Sequence, residues 1–502
     1  MIPHRLIRHG VGRHAWLACA IAVAMAGCSI PAKLNHPAIR DDVPLAGLEA
    51  GPRAGWPEAE WWRQYNDPQL DRLMAMAMKD SPDLEQARSR VNSAEQSVRV
   101  ATAQSGLSVN GSAQVERQRL SENGLIPPKF LGFTWYNQGD IGVQAQYDFD
   151  WWGKKRATIE SAIDQGHAAE AQQSAAALAL QSTVADTYFG WLADEARAGI
   201  AKEAVKTQEQ LVHIATLRVH QGIDRPDTLQ SAQAQLAATR QMLVAIESSA
   251  RIRQAALASL VGVAPAELPS LQPRALPDAN GGLPDHAGVD LIARRPDIAA
   301  SRWQVEAALR QTDVARAEFY PDISISAMAG LSSIDLDKMF NAGNRVFALT
   351  PALHLPIFTG GLLEANYGVS KAQLDAAVAQ YNSTVLSAAR DVATQSLTAQ
   401  QLEGRRKEQA REVSANQALL ANAQSRARRG VSDVRETLAA QAQLLQQKDD
   451  DVNLHAQALS TDVSLIKALG GGYRAVTPEQ TASTDTSLSP SNSSGDATHE
   501  RH

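Results

Sequence analysis

Residues 140–151 read Asp-Ile-Gly-Val-Gln-Ala-Gln-Tyr-Asp-Phe-Asp-Trp, an alternation that decides the fold. An apolar side chain stands at every second position of this stretch, and small or polar residues stand between. Successive side chains of a β-strand point to opposite faces, so the stretch predicts a strand with one apolar and one polar face. Three more segments alternate in the same way. The four predicted strands extend over residues 107–117, 139–151, 321–331 and 346–357, with approximate ends.

The length of these strands indicates where they lie. Each has about 10 residues, the length with which a tilted strand crosses a bilayer. Strands that are apolar outside and polar inside, with aromatic girdles, are typical of membrane barrels. Tyr147, Phe149 and Trp151 are therefore candidate lipid-facing girdle residues. Two amphipathic hairpins of a water-exposed sheet would show the same alternation of apolar and polar residues. The pattern alone therefore leaves that alternative open.

Four strands cannot close a barrel, and open edges would leave N–H and C=O groups unsatisfied in hydrocarbon. Other copies of the chain must then supply strands. Two copies would give a barrel filled by side chains, whereas three copies would give twelve strands and leave a lumen. Pro351 lies in the fourth segment and cannot donate to a β-ladder, so we expect a strand end or a bulge there.

The first residues are typical of an export signal. Three arginines precede an apolar run at residues 15–26, which predicts a signal peptide over residues 1–27. The small residues before Cys28 resemble a bacterial lipobox, so Cys28 is the predicted lipid-attachment residue. In lipoproteins, a serine at the next position implies export to the outer membrane. An ordinary signal peptide with an incidental cysteine is the alternative.

The chain contains an internal repeat. Gly222 and Gly430 are 208 residues apart, and the pentapeptide AQAQL occurs at 232–236 and again at 440–444 with the same offset. The predicted organisation is an extended segment (28–65), a first repeat (66–262), an inter-repeat linker in an equatorial region (263–288), a second repeat (289–472) and a disordered tail (473–502).

The sequence predicts the same set of helices in each repeat. A Pro-Asp pair, at Pro82 and again at Pro296, opens a helix of about 22 residues, since proline suits the first helical turn. After the two strands, proline-free runs at 153–219 and 361–428 predict long helices of roughly 100 Å. A glycine turn and a helix of about 35 residues complete each repeat. A coiled coil is the plain alternative, although no strict heptad is present.

Composition excludes several classes of function. The chain has 54 acidic and 48 basic residues, without the basic stripe of a nucleic-acid-binding protein. Cys19 and Cys28 are its two cysteines, which excludes a disulfide scaffold and a thiolate metal site. The phosphate-binding, zinc-protease and serine-hydrolase motifs do not occur. We expect no enzyme, cofactor or metal; a periplasmic hydrolase with an unrecognised site is a remaining alternative.

Several motifs then point to one family. They are Trp61-Trp62, NDPQL at 66–70, YDFDWWGK at 147–154, LIARRPDI at 291–298, FYPD at 319–322 and LPIFTGG at 355–361. In this order they resemble the TolC-like outer-membrane efflux family, in its lipoprotein (NodT-type) branch that serves resistance–nodulation–division (RND) pumps. The resemblance implies a homotrimer, mainly α with transmembrane β, in which a helical barrel continues into a shared twelve-stranded β-barrel.

The resemblance also implies a periplasmic aperture at the glycine turns. The family closes its tunnel at the turn between its last two long helices, here residues 426–436. Acids three residues apart share one helix face, and a trimer would turn each into a ring that attracts cations. Acids at a helix start also suit the helix dipole without any such role. The aperture candidates are Asp433, Glu436, Arg435, Arg429, Asp224 and Asp227, and the adaptor-docking candidates are Gly222 and Gly430.

The predicted function is that of a passive exit duct. The resemblance implies an outer-membrane, lipid-anchored trimer that works with a periplasmic adaptor (membrane fusion) protein and an inner-membrane RND-type pump. Near the second turn the sequence departs from the family's commoner pattern, because Glu436 and Ala439 stand where some members carry Asp. The alternative is a lipid-anchored periplasmic coiled-coil adaptor or tether without a pore. The exported substrate stays open.

Overall fold

The computed structural model of the protein is mainly helical and contains one four-stranded sheet. The predicted signal peptide and the predicted lipid-attachment residue Cys28 lie outside the described residues, as does the predicted tail beyond Ala475. The structure describes residues 30–35, 37–42, 55–123, 127–279, 282–284 and 287–475.

Eight helices of eight or more residues lie in the described part of the chain. They are α1 (Pro68–Asp80), α2 (Pro82–Ser105), α3 (Lys154–His220), α4 (Pro226–Leu260), α5 (Ala287–Arg294), α6 (Pro296–Ala317), α7 (Leu362–Arg428) and α8 (Val434–Ala468). Helices α3 and α7 both have 67 residues, and α4 and α8 both have 35. The two halves of the chain therefore build the same long helical hairpin.

Proline marks several helix starts. Pro82 and Pro296 are the first residues of α2 and α6, as predicted. Helix α1 begins at Pro68, and the side chain of Asp67 accepts a hydrogen bond from the Gln69 amide at 2.9 Å. A proline at this position loses no helical hydrogen bond, and the aspartate satisfies an amide that the helix leaves free.

The sheet consists of four antiparallel strands in sequence order, β1-β2-β3-β4. The strands are β1 (Ser108–Arg119), β2 (Trp135–Phe149), β3 (Asp322–Ser333) and β4 (Arg345–His354). Opposite residues in each pair have the same parity, as in Val109↔Ala145 and Ala145↔Ala327. Because partners across a ladder share a face, the odd-numbered residues of all four strands lie on one side and the even-numbered residues on the other.

The end of β2 differs from the prediction. The strand stops at Phe149, whereas the alternation predicts a strand to residue 151. Asp150 leaves the sheet because its carboxylate accepts hydrogen bonds from the Lys155 and Arg156 amides at 3.0 and 2.9 Å. It therefore caps the first turn of α3. The alternation predicts Asp150 on the polar face of the sheet, and this prediction is wrong. Trp151 lies beyond the strand and is exposed.

Strand β4 runs through Pro351, so the predicted strand end or bulge at this residue is wrong. Pro351 lies opposite Ile325 of β3, and the register continues on both sides of the pair. Strand β4 is an edge of the sheet within one chain. Edge strands tolerate proline because half of their backbone groups need no partner inside the sheet.

The described chain divides into two compact units. The sheet unit contains the four strands, and its described residues lie within Met1–Ile39, Val91–Ala168 and Ser301–Tyr381. The turn unit contains the two helix-to-helix turns, and its described residues lie within Arg40–Arg90, Ala169–Ala300 and Asn382–His502.

The apolar core of the turn unit surrounds Trp191 and Tyr188, both fully buried. The Tyr188 hydroxyl donates to the Asp67 carboxylate at 2.6 Å, and the Tyr65 hydroxyl donates to Asp462 at 2.7 Å. Burial raises the pKa of Tyr65, which keeps this phenol a hydrogen-bond donor. These bonds attach the segment before α1 to the long helices.

Two predicted segment boundaries differ from the structure. Within the segment predicted as extended (28–65), Trp61–Tyr65 forms a short 3-10 helix whose aromatic rings are buried. At the other end, Tyr473 packs near Ala299 and Ala300, and the Ala475 amide donates to the Ala293 carbonyl at 2.8 Å. Residues 473–475 therefore pack against the second repeat, whereas the prediction assigned them to the tail.

Candidate functional site

Two turns of the same construction connect α3 to α4 and α7 to α8. Each begins with a glycine in the left-handed region, Gly222 and Gly430, both at φ +71°. The amide after each glycine donates to the carbonyl of an arginine five residues earlier, Arg218 at 2.8 Å and Arg426 at 3.1 Å. This arrangement satisfies the last helix carbonyls and favours glycine, because other residues are strained there.

Asp224 lies at the centre of the charged groups around these turns. Its carboxylate binds the Arg218 guanidinium through two hydrogen bonds of 2.7 and 2.9 Å. The same carboxylate lies 3.5 Å from Nη1 of Arg435, which belongs to the second turn. The Asp224 side chain is 15% exposed. Asp224 therefore links the two turns of one protomer, with one arginine from each.

Asp433 is the second carboxylate that binds Arg435. As the N-cap of α8, Asp433 accepts the Arg435 amide at 2.9 Å, and it accepts the Arg435 Nε at 2.8 Å. Arg435 is thereby fixed between two carboxylates, those of Asp433 and Asp224. We call Arg218, Asp224, Asp433 and Arg435 the latch cluster.

Hydrogen bonds keep the latch carboxylates charged. Hydrogen bonding to Arg218 lowers the pKa of Asp224, and the nearby charges of Arg218 and Arg435 lower it further. Hydrogen bonds from the Arg435 amide and side chain lower the pKa of Asp433. Since both carboxyl groups lose their protons more readily than usual, the cluster stays ionised through the neutral range.

The other aperture candidates stand apart from the latch cluster. Glu436 accepts a hydrogen bond from Arg426 at 3.3 Å, and both side chains are about half exposed. Asp227 pairs with Arg225 at 3.1 Å on the surface. The Nε of Arg429 donates to the Ser425 carbonyl of α7 at 3.3 Å. In one protomer the structure thus brings together Asp433, Arg435 and Asp224, but not Glu436, Asp227 or Arg429.

Sequence reasoning missed Arg218 and Arg426 as site residues. Each is the partner of a candidate carboxylate, Asp224 in the first turn and Glu436 in the second. The two arginines are 208 residues apart and four residues before their turn glycines. The internal repeat therefore contained a signal that could have found them.

The sheet separates apolar from polar side chains. The odd-numbered face carries exposed apolar residues, among them Val109, Val143, Phe347 and Leu349. The even-numbered face carries mainly Ser, Asn, Gln and Asp. In water such an exposed apolar face would be unfavourable, so it indicates a lipid or protein contact.

Aromatic residues gather at one end of this apolar face. The rings of Tyr147 and Phe149 meet edge to face at 5.1 Å, and Lys155 lies over the Tyr147 ring at 5.2 Å. Trp152 stacks on Tyr320 at 4.5 Å and donates to a backbone carbonyl at 2.9 Å. Rings with a polar tip suit a membrane–water interface. Tyr147 and Phe149 lie together at this end of the face, and their role in a girdle stays a prediction. Tyr320, which stacks on Trp152, was not among the residues predicted for it.

A separate charged group lies on α3 and α6 in the sheet unit. Asp164 is largely buried 3.8 Å from Nε of Arg310, which also pairs with Glu160 at 3.3 Å. Burial raises the pKa of Asp164 to about 6, the charge of Glu306 adds to the rise, and the Arg310 charge opposes it. An aspartate with a raised pKa costs stability once it ionises.

We predict that Asp164→Asn stabilises the protein at high pH and has almost no effect at low pH. The folded pKa of about 6 exceeds the ordinary aspartate value of 3.8, so the cost appears as pH rises through this range and is absent below it. At pH 8 the variant should gain about 1–2 kcal/mol after screening, and close to nothing at pH 4. Thermal unfolding at both pH values measures this, with the exposed Asp186→Asn in the same helix as control. An equal gain at both pH values would refute the burial argument.

No group of three or more His, Cys, Asp or Glu is placed to bind a metal ion in the described part of the chain. Among the described helices, none combines the length and apolarity that spanning a bilayer requires.

Long paired helices and a sheet with one apolar and one polar face define a class, the helical channel proteins that enter a membrane through β-strands. The chain belongs to the outer membrane efflux protein family, whose model matches residues 73–263 and 288–471. The predicted family is confirmed, and with it the fold class, the outer-membrane location and the channel function. This is a family of channel proteins and not of enzymes.

Two relatives match over nearly their full lengths. The multidrug resistance outer membrane protein MdtP of Escherichia coli strain K12 is 32% identical over 478 residues, which cover 91% of this chain and 97% of MdtP. MdtQ of Escherichia coli O157:H7, with the same description, is 31% identical over 470 residues, 91% of this chain and 98% of MdtQ.

Solved structures have the same fold. VceC, an outer membrane protein of Vibrio cholerae, is 32% identical with a TM-score of 0.73, covering 84% of this chain and all of VceC (100%). The outer membrane channel CmeC of Campylobacter jejuni has a TM-score of 0.79 at 21% identity, covering 91% of this chain and 98% of CmeC. CmeC supports the fold alone.

Proposed function

We propose that the protein is the outer-membrane component of a tripartite efflux pump and serves as a passive exit duct for small molecules. The observation that carries this proposal is the sheet, whose odd-numbered face is mainly apolar and which has open edges at β1 and β4. Neither edge could remain unpaired in hydrocarbon. Relatives named for multidrug resistance support small toxic molecules as the cargo.

A homotrimer satisfies these edges. Strand β4 of one copy would pair with β1 of the next, and three copies of a four-stranded sheet make twelve strands. A barrel of that size leaves a lumen between the inner side chains. The even-numbered face, with its Ser, Asn, Gln and Asp residues, suits a water-filled interior.

The latch cluster is the proposed closing device of the duct. Arg435 joins the second turn to Asp224 of the first turn within one protomer. Repeated three times around an axis, the two turns would line one mouth with carboxylates and arginines. Asp433 and Glu436 remain candidates for the carboxylate rings there, together with Arg429 and Asp227 on the rim. An adaptor protein docking at Gly222 and Gly430 would engage the same turns and loosen the latch.

The lipid anchor at Cys28 is compatible with the described contacts. The Pro31 carbonyl accepts a hydrogen bond from Arg316 at 2.8 Å, and Arg316 lies six residues before the first residue of β3, Asp322. Three residues in any conformation span at most about 10 Å. An acyl chain on Cys28 would therefore be near the girdle end of the sheet, where a membrane surface is expected.

Charge-neutral replacement tests the aperture. Asp433→Asn combined with Glu436→Gln should raise the single-channel conductance of the purified protein in a planar bilayer, because the mouth loses two carboxylates and their arginine contacts. Glu412→Gln, an exposed acid of α7, is the matched control and should leave conductance as in the parent. An unchanged conductance in the double variant would reject these residues as the constriction.

The alternative function, a lipid-anchored coiled-coil tether without a pore, predicts different behaviour in membrane extraction. A duct should be extracted from outer membranes only by detergent, as trimer-sized particles that form pores. For Cys28→Ser, a duct remains in the membrane fraction through its strands, whereas a tether without a pore becomes water-soluble. A soluble, pore-free monomer would reject the proposed function.

A further inference from the structure

Both open edges of the sheet end at an arginine on the same side. Strand β1 ends at Arg119, and β4 begins at Arg345, both at the end of the sheet opposite the aromatic girdle. Both have odd numbers, so they extend the apolar face, as does Arg117 two residues before the end of β1. The face is thus apolar along its length and basic at this rim.

The contacts of these arginines leave positive charge uncompensated. The Arg117 guanidinium lies 5.6 Å from the centre of the Trp135 ring. Arg119 lies 3.5 Å from Glu122, and both side chains are more than half exposed, so the pair is weak. Among the described residues, no carboxylate lies within ion-pair distance of Arg117 or Arg345.

We propose that each seam between two copies carries an anion site for the phosphate of an outer-leaflet lipid headgroup. This inference rests on the proposed trimer. Within one copy the register places Arg345 in the row of Ala113. Closing a barrel requires a stagger between strands, and a stagger of six residues from one copy to the next places Arg345 opposite the partner subunit's Arg119, with the partner subunit's Arg117 beside it. Like charges directly opposite destabilise a strand pair. A bound phosphate removes that repulsion, so the site is complete only when two copies meet.

The surroundings favour a lipid phosphate over a free anion. Below the arginines the same face continues with Phe347 and Leu349, which are 75% and 69% exposed and would contact acyl chains. Trp135, which lies opposite Arg119 in the sheet, suits the interface between headgroups and hydrocarbon. Arginine binds phosphate through two parallel hydrogen bonds, which suits a headgroup held at a fixed depth.

The test measures lipid bound to the purified trimer by native mass spectrometry. Lipid A with its phosphates should bind at up to one molecule per seam, and dephosphorylated lipid A should bind much more weakly. Arg119→Gln and Arg345→Gln should each weaken binding about tenfold, the usual effect of losing one charged hydrogen bond. The exposed Arg411→Gln on α7 is the matched control and should bind as the parent does.

Three outcomes would overturn the inference. They are equal binding of both lipids, unchanged binding by the two variants, and displacement of the lipid by millimolar inorganic phosphate. Conductance is recorded on the same samples, so failure of this site in a conducting trimer leaves the proposed function intact.

A charge reversal tests the seam itself. In Arg345→Glu, the new carboxylate would form an ion pair with the partner subunit's Arg119. In lipid-free detergent the variant trimer should therefore dissociate at a higher temperature than the parent trimer. The same variant should lose lipid A binding. A variant that falls apart sooner than the parent in lipid-free detergent would show that the two arginines do not face each other.

Discussion

Asp224→Asn should raise the single-channel conductance of the trimer severalfold and should do so more than any other single replacement at the turns. The Asp224 carboxylate holds Arg218 through two hydrogen bonds and attracts Arg435 from the second turn. An asparagine keeps the shape but loses the charge, so both arginines lose their strong partner. The two turns of each protomer are then free to separate. Planar-bilayer recordings of purified protein measure the effect.

Asp186→Asn is the matched control for this experiment. It is the same substitution at an exposed position of α3, outside the turns and the latch cluster. Its conductance should equal that of the parent. Arg435→Gln should raise conductance as well, and combining it with Asp224→Asn should add little, because both remove the same contact. Fully additive effects would show that Asp224 and Arg435 act separately.

The latch should also respond to acid in a defined direction. The pKa of Asp224 is held below its ordinary value by Arg218, and that of Asp433 by Arg435. A lowered pKa means that the ion pairs persist at neutral pH and are lost only as the pH falls through the lowered values. Conductance should therefore be constant from about pH 8 to pH 5 and rise only below about pH 4. An opening near pH 6 would point to another group.

Gly262→Ala and Gly470→Ala should each prevent or severely reduce assembly of the protein. Both glycines follow the last helix of a repeat, at φ +77° and +92°. A Cβ at Gly262 would overlap the backbone carbonyl of Asp80, and one at Gly470 would overlap that of Arg294. Left-handed strain and overpacking together should cost about 3 kcal/mol or more in each repeat. Trimer yield and thermal unfolding report the loss.

Two other glycines serve as controls for this prediction. Gly199 in α3 and Gly404 in α7 have ordinary helical backbones and open space where a Cβ would stand. Gly199→Ala and Gly404→Ala should be neutral or gain up to about 1 kcal/mol, since alanine favours helix. If Gly262→Ala behaved like Gly199→Ala, the close backbone contact with Asp80 would not determine stability.

The parts of the fold that were predictable depend on neighbours in sequence. The two-residue period of 140–151 placed β2, and the proline-free runs placed α3 and α7 within one residue of their ends. The turn glycines were predictable for the same reason, because a left-handed backbone position favours glycine. The site was predictable in part, since Asp433 and Asp224 were named but Arg218 was not.

By itself, then, the sequence determined the strands, the long helices, the repeat and the family, because each depends on local periodicity or on motifs a few residues long. Only the tertiary structure decided that Asp150 caps a helix, that Pro351 fits inside an edge strand and that Arg435 contacts Asp224. The last two residues are 211 positions apart in the chain. No local pattern specifies such a pair, because the folding of two separate helical hairpins against each other sets the distance between their charged groups.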